Sequence, residues 1–143
     1  MADQKHQELI DGLNEDLRGE FQAVIMYRLY ASMVQGPYRP ELRAFFSNEI
    51  PDELMHAQIL ADKIAALGGT PAATAAPVRV VTDAKEMLQT ALQAEIETLE
   101  RYVERRSQAE AVGEHGLAAR FDDIISDETN HRDELQQMLA RWP

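Results

Sequence analysis

The sequence predicts an all-α fold, an antiparallel four-helix bundle built from two helical hairpins joined by a long crossover. Three observations lead there. Four long stretches carry helical periodicity, Gly and Pro fall between the members of each pair, and the second half of the chain repeats the first at an offset of 75 residues.

The first stretch, about 5–34, lines up Leu13, Leu17, Glu20, Val24, Tyr27, Ala31 and Val34 on one stripe. The second begins near Pro40, a favourable first-turn residue, and runs to Leu67 with Leu42, Phe46, Glu49, Glu53, His56 and Leu60 on one side. The third, about 83–112, aligns Leu88, Leu92, Glu95, Leu99 and Tyr102. The fourth, about 116–141, aligns Leu117, Phe121, Ile124, Glu128, His131, Leu135 and Met138, with Trp142 at its end. Gly36-Pro37 separates the first pair, and Gly113 with Gly116 separates the second. Residues 68–83, GGTPAATAAPVRVVTD, carry no helical stripe. Extended, such a segment reaches roughly 50 Å, enough to run the length of one helix, so it reads as a crossover within one domain spanning 1–143.

The repeat places Leu13 on Leu88, Leu17 on Leu92, Glu20 on Glu95 and Tyr27 on Tyr102. It continues with Leu42 on Leu117, Phe46 on Phe121, Asp52 on Asp127, Glu53 on Glu128, His56 on His131 and Leu60 on Leu135. The two hairpins are therefore expected to be related by an approximate two-fold axis.

Composition narrows the chemistry. With no cysteine, disulfides, Cys-ligated zinc, iron–sulfur clusters and thiol catalysis are excluded. The formal charge of −11 argues against nucleic acid or an anionic membrane as a partner. It is compatible with attracting cations, though solubility alone accounts for it. No run of apolar residues is long enough for a membrane span, and the polar start MADQKHQEL lacks a signal-peptide core, so a cytoplasmic location is expected.

The informative residues are those that interrupt the apolar stripes. A lone Glu-x-x-His on a helix is usually solvated and means little. Here Glu128 and His131 stand between Ile124 and Leu135, and Glu20 and Glu95 interrupt their own stripes. Unpaired charges buried in this way cost several kcal/mol each, about enough to unfold a marginal domain. Glu20 and Glu53 are equidistant from Gly36-Pro37, and Glu95 and Glu128 from a point beside Gly113, so each pair lies at one level of its hairpin. The two-fold then gathers four carboxylates and two imidazoles on the bundle axis. Two divalent cations would neutralise the four carboxylates, as would two ferric ions bridged by an oxide. Oxygen-rich ligands with two imidazoles suit iron or manganese; zinc would bind without redox chemistry.

In NEDLRGEFQAVIMY, DELMHA, KEMLQTALQAEIE and DETNH the chain resembles the ferritin-like superfamily, bacterioferritin in particular, over nearly its whole length. One Glu from each of two helices with Glu-x-x-His from the other two is the established pattern of ferritin-like di-iron and di-manganese proteins. The resemblance implies two iron ions per chain, held by Glu20, Glu53, His56, Glu95, Glu128 and His131, with Glu53 and Glu128 bridging. It implies a ferroxidase, oxidising ferrous iron with O2 or peroxide, in a homo-oligomer whose size, dimer or shell, stays open. A rubrerythrin-like peroxidase and a non-redox metal-binding bundle are the alternatives. Tyr27 and Tyr102 are candidates to hydrogen-bond a ligand carboxylate or supply an electron, or are ordinary half-buried tyrosines. Asp52 and Asp127 are expected to accept a hydrogen bond from a ligand histidine.

Departures from the family pattern carry expectations too. Leu54 stands where bacterioferritins place a haem-ligating Met, so no haem is expected. The family's short fifth helix has no counterpart before Arg141-Trp142-Pro143, which weighs against a large storage shell. Asn48 replaces a His of an inner-surface iron site found in some bacterioferritins. Thr98 stands where rubrerythrins carry an additional Glu, and their Cys-rich rubredoxin domain is absent from this chain. Glu49 shares the stripe of Glu53; it is expected to face solvent near a helix start, or else to hold a metal transiently. His6 and His115 receive no role. Pro51 removes the bond to the Ser47 carbonyl, predicting a kink or widened turn over 47–51 that loosens access to one metal position.

Overall fold

The computed structural model describes residues 2–143. It holds four helices, α1 (Ala2–Met33), α2 (Arg39–Ala66), α3 (Ala84–Ala111) and α4 (His115–Leu139). No strand occurs among the described residues, and no described helix is long and apolar enough to cross a membrane.

The breakers act through local backbone chemistry. Gly36 and Gly113 turn the two hairpins with φ of 113° and 82°, a region that side chains with a Cβ avoid. Gly68, at φ 87°, ends α2 one residue after Leu67, which caps the helix rather than extending it. Asp83 starts α3 as an N-cap, its side chain accepting from the Glu86 amide at 3.1 Å. Helix α4 ends at Leu139, short of Trp142. The Trp142 ring leaves the stripe and packs edge-on against Tyr38, 5.3 Å between centroids, closing that end of the bundle. The helical pattern of α2 continues through Pro51, so the expected widened turn over 47–51 does not form. Pro51 is exposed.

Helix α1 packs on α2 and α3 on α4, and the hairpins meet chiefly through α1 and α3. Residues 68–83 run along α1 in the same direction, as a crossover must. Asn14 ties both sides of Pro71, donating to the Thr70 carbonyl at 3.1 Å and accepting from the Ala72 amide at 2.8 Å. Farther on, the Ala76 amide reaches the Arg18 carbonyl at 3.0 Å and Tyr30 donates to the Arg79 carbonyl at 2.6 Å.

The core is split in two. One apolar cluster contains Leu9, Leu13, Leu17, Leu60, Ile64, Tyr102 and Phe121; the other contains Tyr27, Tyr30, Phe46, Met87, Leu88 and Leu135. The repeat exchanges them, since Leu13 and Leu88, Phe46 and Phe121, and Leu60 and Leu135 fall in opposite clusters. The approximate two-fold therefore lies across the bundle axis, and a belt of buried polar residues fills the middle.

Candidate metal centre

The belt consists of Glu20 on α1, Glu53 and His56 on α2, Glu95 on α3, and Glu128 and His131 on α4. All six are buried, none more than 5% exposed. They form two interlocked groups, Glu20–Glu53–His56–Glu128 and Glu53–Glu95–Glu128–His131. Within each group the potential ligand atoms lie within 4.8 Å of one another. Glu53 and Glu128 belong to both.

Each histidine turns Nδ1 inward and Nε2 outward. His56 Nδ1 lies 2.9 Å from Glu128 Oε1, while His131 Nδ1 lies 3.3 Å from Glu53 Oε1 and 3.6 Å from Glu95 Oε1. The outer nitrogens meet carboxylates of the opposite hairpin, His56 Nε2 with Asp127 at 2.9 Å and His131 Nε2 with Asp52 at 3.1 Å. An imidazole that donates from Nε2 keeps its Nδ1 lone pair for the centre. The tyrosines cross in the same way. Tyr27 donates to Glu95 at 2.6 Å, and Tyr102 donates to Glu20. Both rings are fully buried, which departs from half-buried bundle tyrosines.

The electrostatics describe a site that holds protons when it holds no cation. Burial, reinforced by Glu128, drives the Glu20 carboxyl far above the usual range; burial with Glu20 and Glu95 does the same to Glu53. Glu95 is raised to about 8, first by burial and then by Glu128. Burial alone would lower His56, but contact with Glu128 and Asp127 outweighs it and lifts the imidazole to about 9. His131 is raised in the same way, against its burial, by Glu128, Glu49 and Glu53.

The donor atoms fit a metal pair. Glu20 Oε2, Glu53 Oε1, Glu95 Oε2, both Glu128 oxygens and both Nδ1 atoms are buried without a hydrogen-bond partner. Each such atom costs about 1–3 kcal/mol in a buried setting, a debt that cations placed among them would remove.

Glu49 does not face solvent. It is 8% exposed, and its Oε2 stands 2.8 Å from His131 Nε2, because its place on the Glu53 stripe turns it toward α4. Asp16, Arg105 and Arg101 were not evident from the sequence. Asp16 is fully buried and accepts from Arg105 at 2.8 and 3.2 Å; Arg101 lies 3.5 Å away. Burial raises the Asp16 carboxyl despite these cations. Gly12 and Gly19 make room, since a Cβ at either would collide with Arg105 or Arg101. A readable signal existed in Gly12, Asp16 and Gly19 on one helical face with Arg101 and Arg105 one turn apart. Thr98 accepts from Arg101 at 3.1 Å and so joins this network.

Residues 10–143 match the family model described as ferritin-like domain. The chain belongs to the ferritin-like family. Among its relatives, bacterioferritin of Streptomyces coelicolor is 32% identical over 135 residues, covering 92% of this ferritin-like chain and 80% of the relative. A bacterial ferritin of Pseudomonas aeruginosa is 31% identical over 137 residues, 96% of this chain and 80% of that one. A Bacillus anthracis structure described as ferritin-like, diiron-carboxylate superposes with a TM-score of 0.93 at 47% identity, covering 94% of this chain and 97% of its own. Dps from Thermosynechococcus elongatus superposes at 0.92 with 18% identity over 99% and 96% of the two chains, a likeness of fold alone.

Proposed function

We propose that the protein is a di-iron ferroxidase acting in iron storage or detoxification. Ferrous ions are the substrate, one held by Glu20, Glu53, His56 and Glu128 and the other by Glu53, Glu95, Glu128 and His131. Glu53 and Glu128 bridge; Glu20 and Glu95 are terminal ligands. The observation that carries this reading is the pair of buried groups sharing those two glutamates. The Bacillus anthracis likeness and the bacterioferritin relatives support it.

The residues have distinct tasks. Asp127 and Asp52 fix the histidine tautomers, and Tyr102 and Tyr27 orient the terminal carboxylates. Two ferrous ions give up two electrons; with two protons these reduce O2 to hydrogen peroxide, or reduce peroxide to two waters. The buried carboxyls release protons as the cations enter, which prevents charge from accumulating in the core.

A homodimer is supported by the outer face of the first hairpin. Ile25, Leu54 and Met55 are 42%, 51% and 53% exposed there, whereas their counterparts in the second hairpin are Glu100, Thr129 and Asn130. Exposed apolar residues at positions where the repeat has polar ones mark the first hairpin for contact.

The test is anaerobic addition of ferrous iron to the metal-free protein, followed by air or peroxide. Rapid oxidation of two ferrous ions per chain, lost in Glu53→Ala, is expected. Iron bound but not oxidised by either oxidant would overturn the ferroxidase reading and leave a non-redox metal bundle.

A further inference from the structure

The centre obeys the internal repeat closely. Glu20 and Glu95, Glu53 and Glu128, and His56 and His131 are counterparts. So are Asp52 and Asp127, whose side chains are each 44% exposed and each meet a histidine Nε2. Tyr27 and Tyr102 are each fully buried and each donate to a terminal glutamate. Glu49 breaks this pattern. Its carboxylate lies 2.8 Å from His131 Nε2, and the residue at its repeat position is Ile124, 1% exposed in the apolar core.

His131 thus has two carboxylates on its outer nitrogen where His56 has one. A neutral imidazole offers a single N–H there, which only one of them can accept fully. Glu49 Oε2 is accordingly buried with no hydrogen-bond partner. A second carboxylate is thus held beside one metal position and not beside its twin.

Resting on the di-metal reading above, we propose that the two positions fill in order, with Glu49 setting the order. The first divalent ion enters the position of Glu53, Glu95, Glu128 and His131; the position of Glu20, Glu53, His56 and Glu128 fills second. The carboxylate attracts a cation through a poorly screened interior and strengthens His131 as a donor. Ile124 supplies neither effect to His56. Asp16 and Arg105 replace Ala91 and Tyr30, but with Glu15 beside Arg105 and Arg101 beside Asp16 the two acids and two bases cancel, so this second break in the repeat leaves the order to Glu49.

The experiment uses the full chain, crystallised metal-free and soaked with one equivalent of Co(II), reading the anomalous occupancy at each position. Occupancy beside His131 is expected to exceed that beside His56 by about tenfold, the usual scale for an outer carboxylate partner. In Glu49→Gln, which keeps the shape and removes the charge, the ratio falls toward one. Glu49→Ile, which gives both halves the same residue, does the same. Equal occupancy in the unmodified protein overturns the order, and so does unequal occupancy that persists in Glu49→Gln. With excess Co(II) both positions fill; if neither does, the di-metal reading fails rather than the order of filling.

Discussion

Asp127 lies 2.9 Å from Nε2 of His56, on the opposite hairpin, so the acid steadying each histidine comes from the other half of the repeat. The same crossing appears in Asp52 with His131, Tyr27 with Glu95, and Tyr102 with Glu20. Each hairpin carries proposed ligands that the other orients, and neither hairpin by itself contains all the residues of one buried group.

Replacing Asp127 by Ala is therefore expected to weaken metal held at His56, with little effect at His131. The loss should be about 10- to 100-fold, as for other partners of ligand histidines. Competitive titration of Co(II) against a chelator measures it. Unchanged affinity would show that Asp127 does not set the tautomer of His56.

Tyr102→Phe removes a donor from a buried carboxyl. The metal-free protein should lose about 1–3 kcal/mol in urea unfolding, the cost of leaving such a group unpaired. Metal binding should restore much of the difference, because cations then engage Glu20. A variant as stable as the original without metal would contradict the hydrogen bond's role.

The metal-free protein should lose stability as pH rises. The folded state keeps Glu95 protonated up to about 8 and His56 up to about 9, against ordinary values of 4.5 and 6.5. Between those limits the folded chain binds more protons than the unfolded one, so stability falls with increasing pH. Thermal melts in chelator across this range should show a falling midpoint, with a shallower slope in Glu95→Gln. Saturating metal, by replacing the protons, should reverse the trend. A metal-free midpoint that climbs with pH would contradict the proton-holding centre.

The Asp16–Arg105 pair predicts non-additive mutations. Arg105→Met leaves Asp16 buried without its main cation and should cost about 3–5 kcal/mol. Replacing both as Asp16→Ala with Arg105→Tyr, the residues of the other half, should cost less than the single change. Urea unfolding of the three proteins decides it; equal losses would mean that packing dominates over charge.

The helices and the six converging residues were legible because polar groups broke apolar stripes at positions repeated 75 residues apart. The crossed pairing was not, because sequence spacing fixes the level of Asp52 or Tyr27 but not which neighbouring helix its side chain reaches. Glu49 was ambiguous for the same reason: spacing puts it on the Glu53 stripe, but not against a particular neighbouring helix. Asp16 and Arg105 were hidden because both residue types usually face water, and their partnership spans 89 residues. Pro51 breaks a local rule whose consequence the rest of α2 absorbs.

In the proposed centre Glu53 and Glu128 each serve two ions. Anaerobic equilibrium binding of ferrous iron tests it most directly, comparing the unmodified protein with Glu53→Ala and Glu20→Ala. Two tightly held ions per chain are expected in the first, none in Glu53→Ala, and one in Glu20→Ala. A Glu53→Ala protein that still holds one ion as tightly as Glu20→Ala does would contradict the shared-ligand centre.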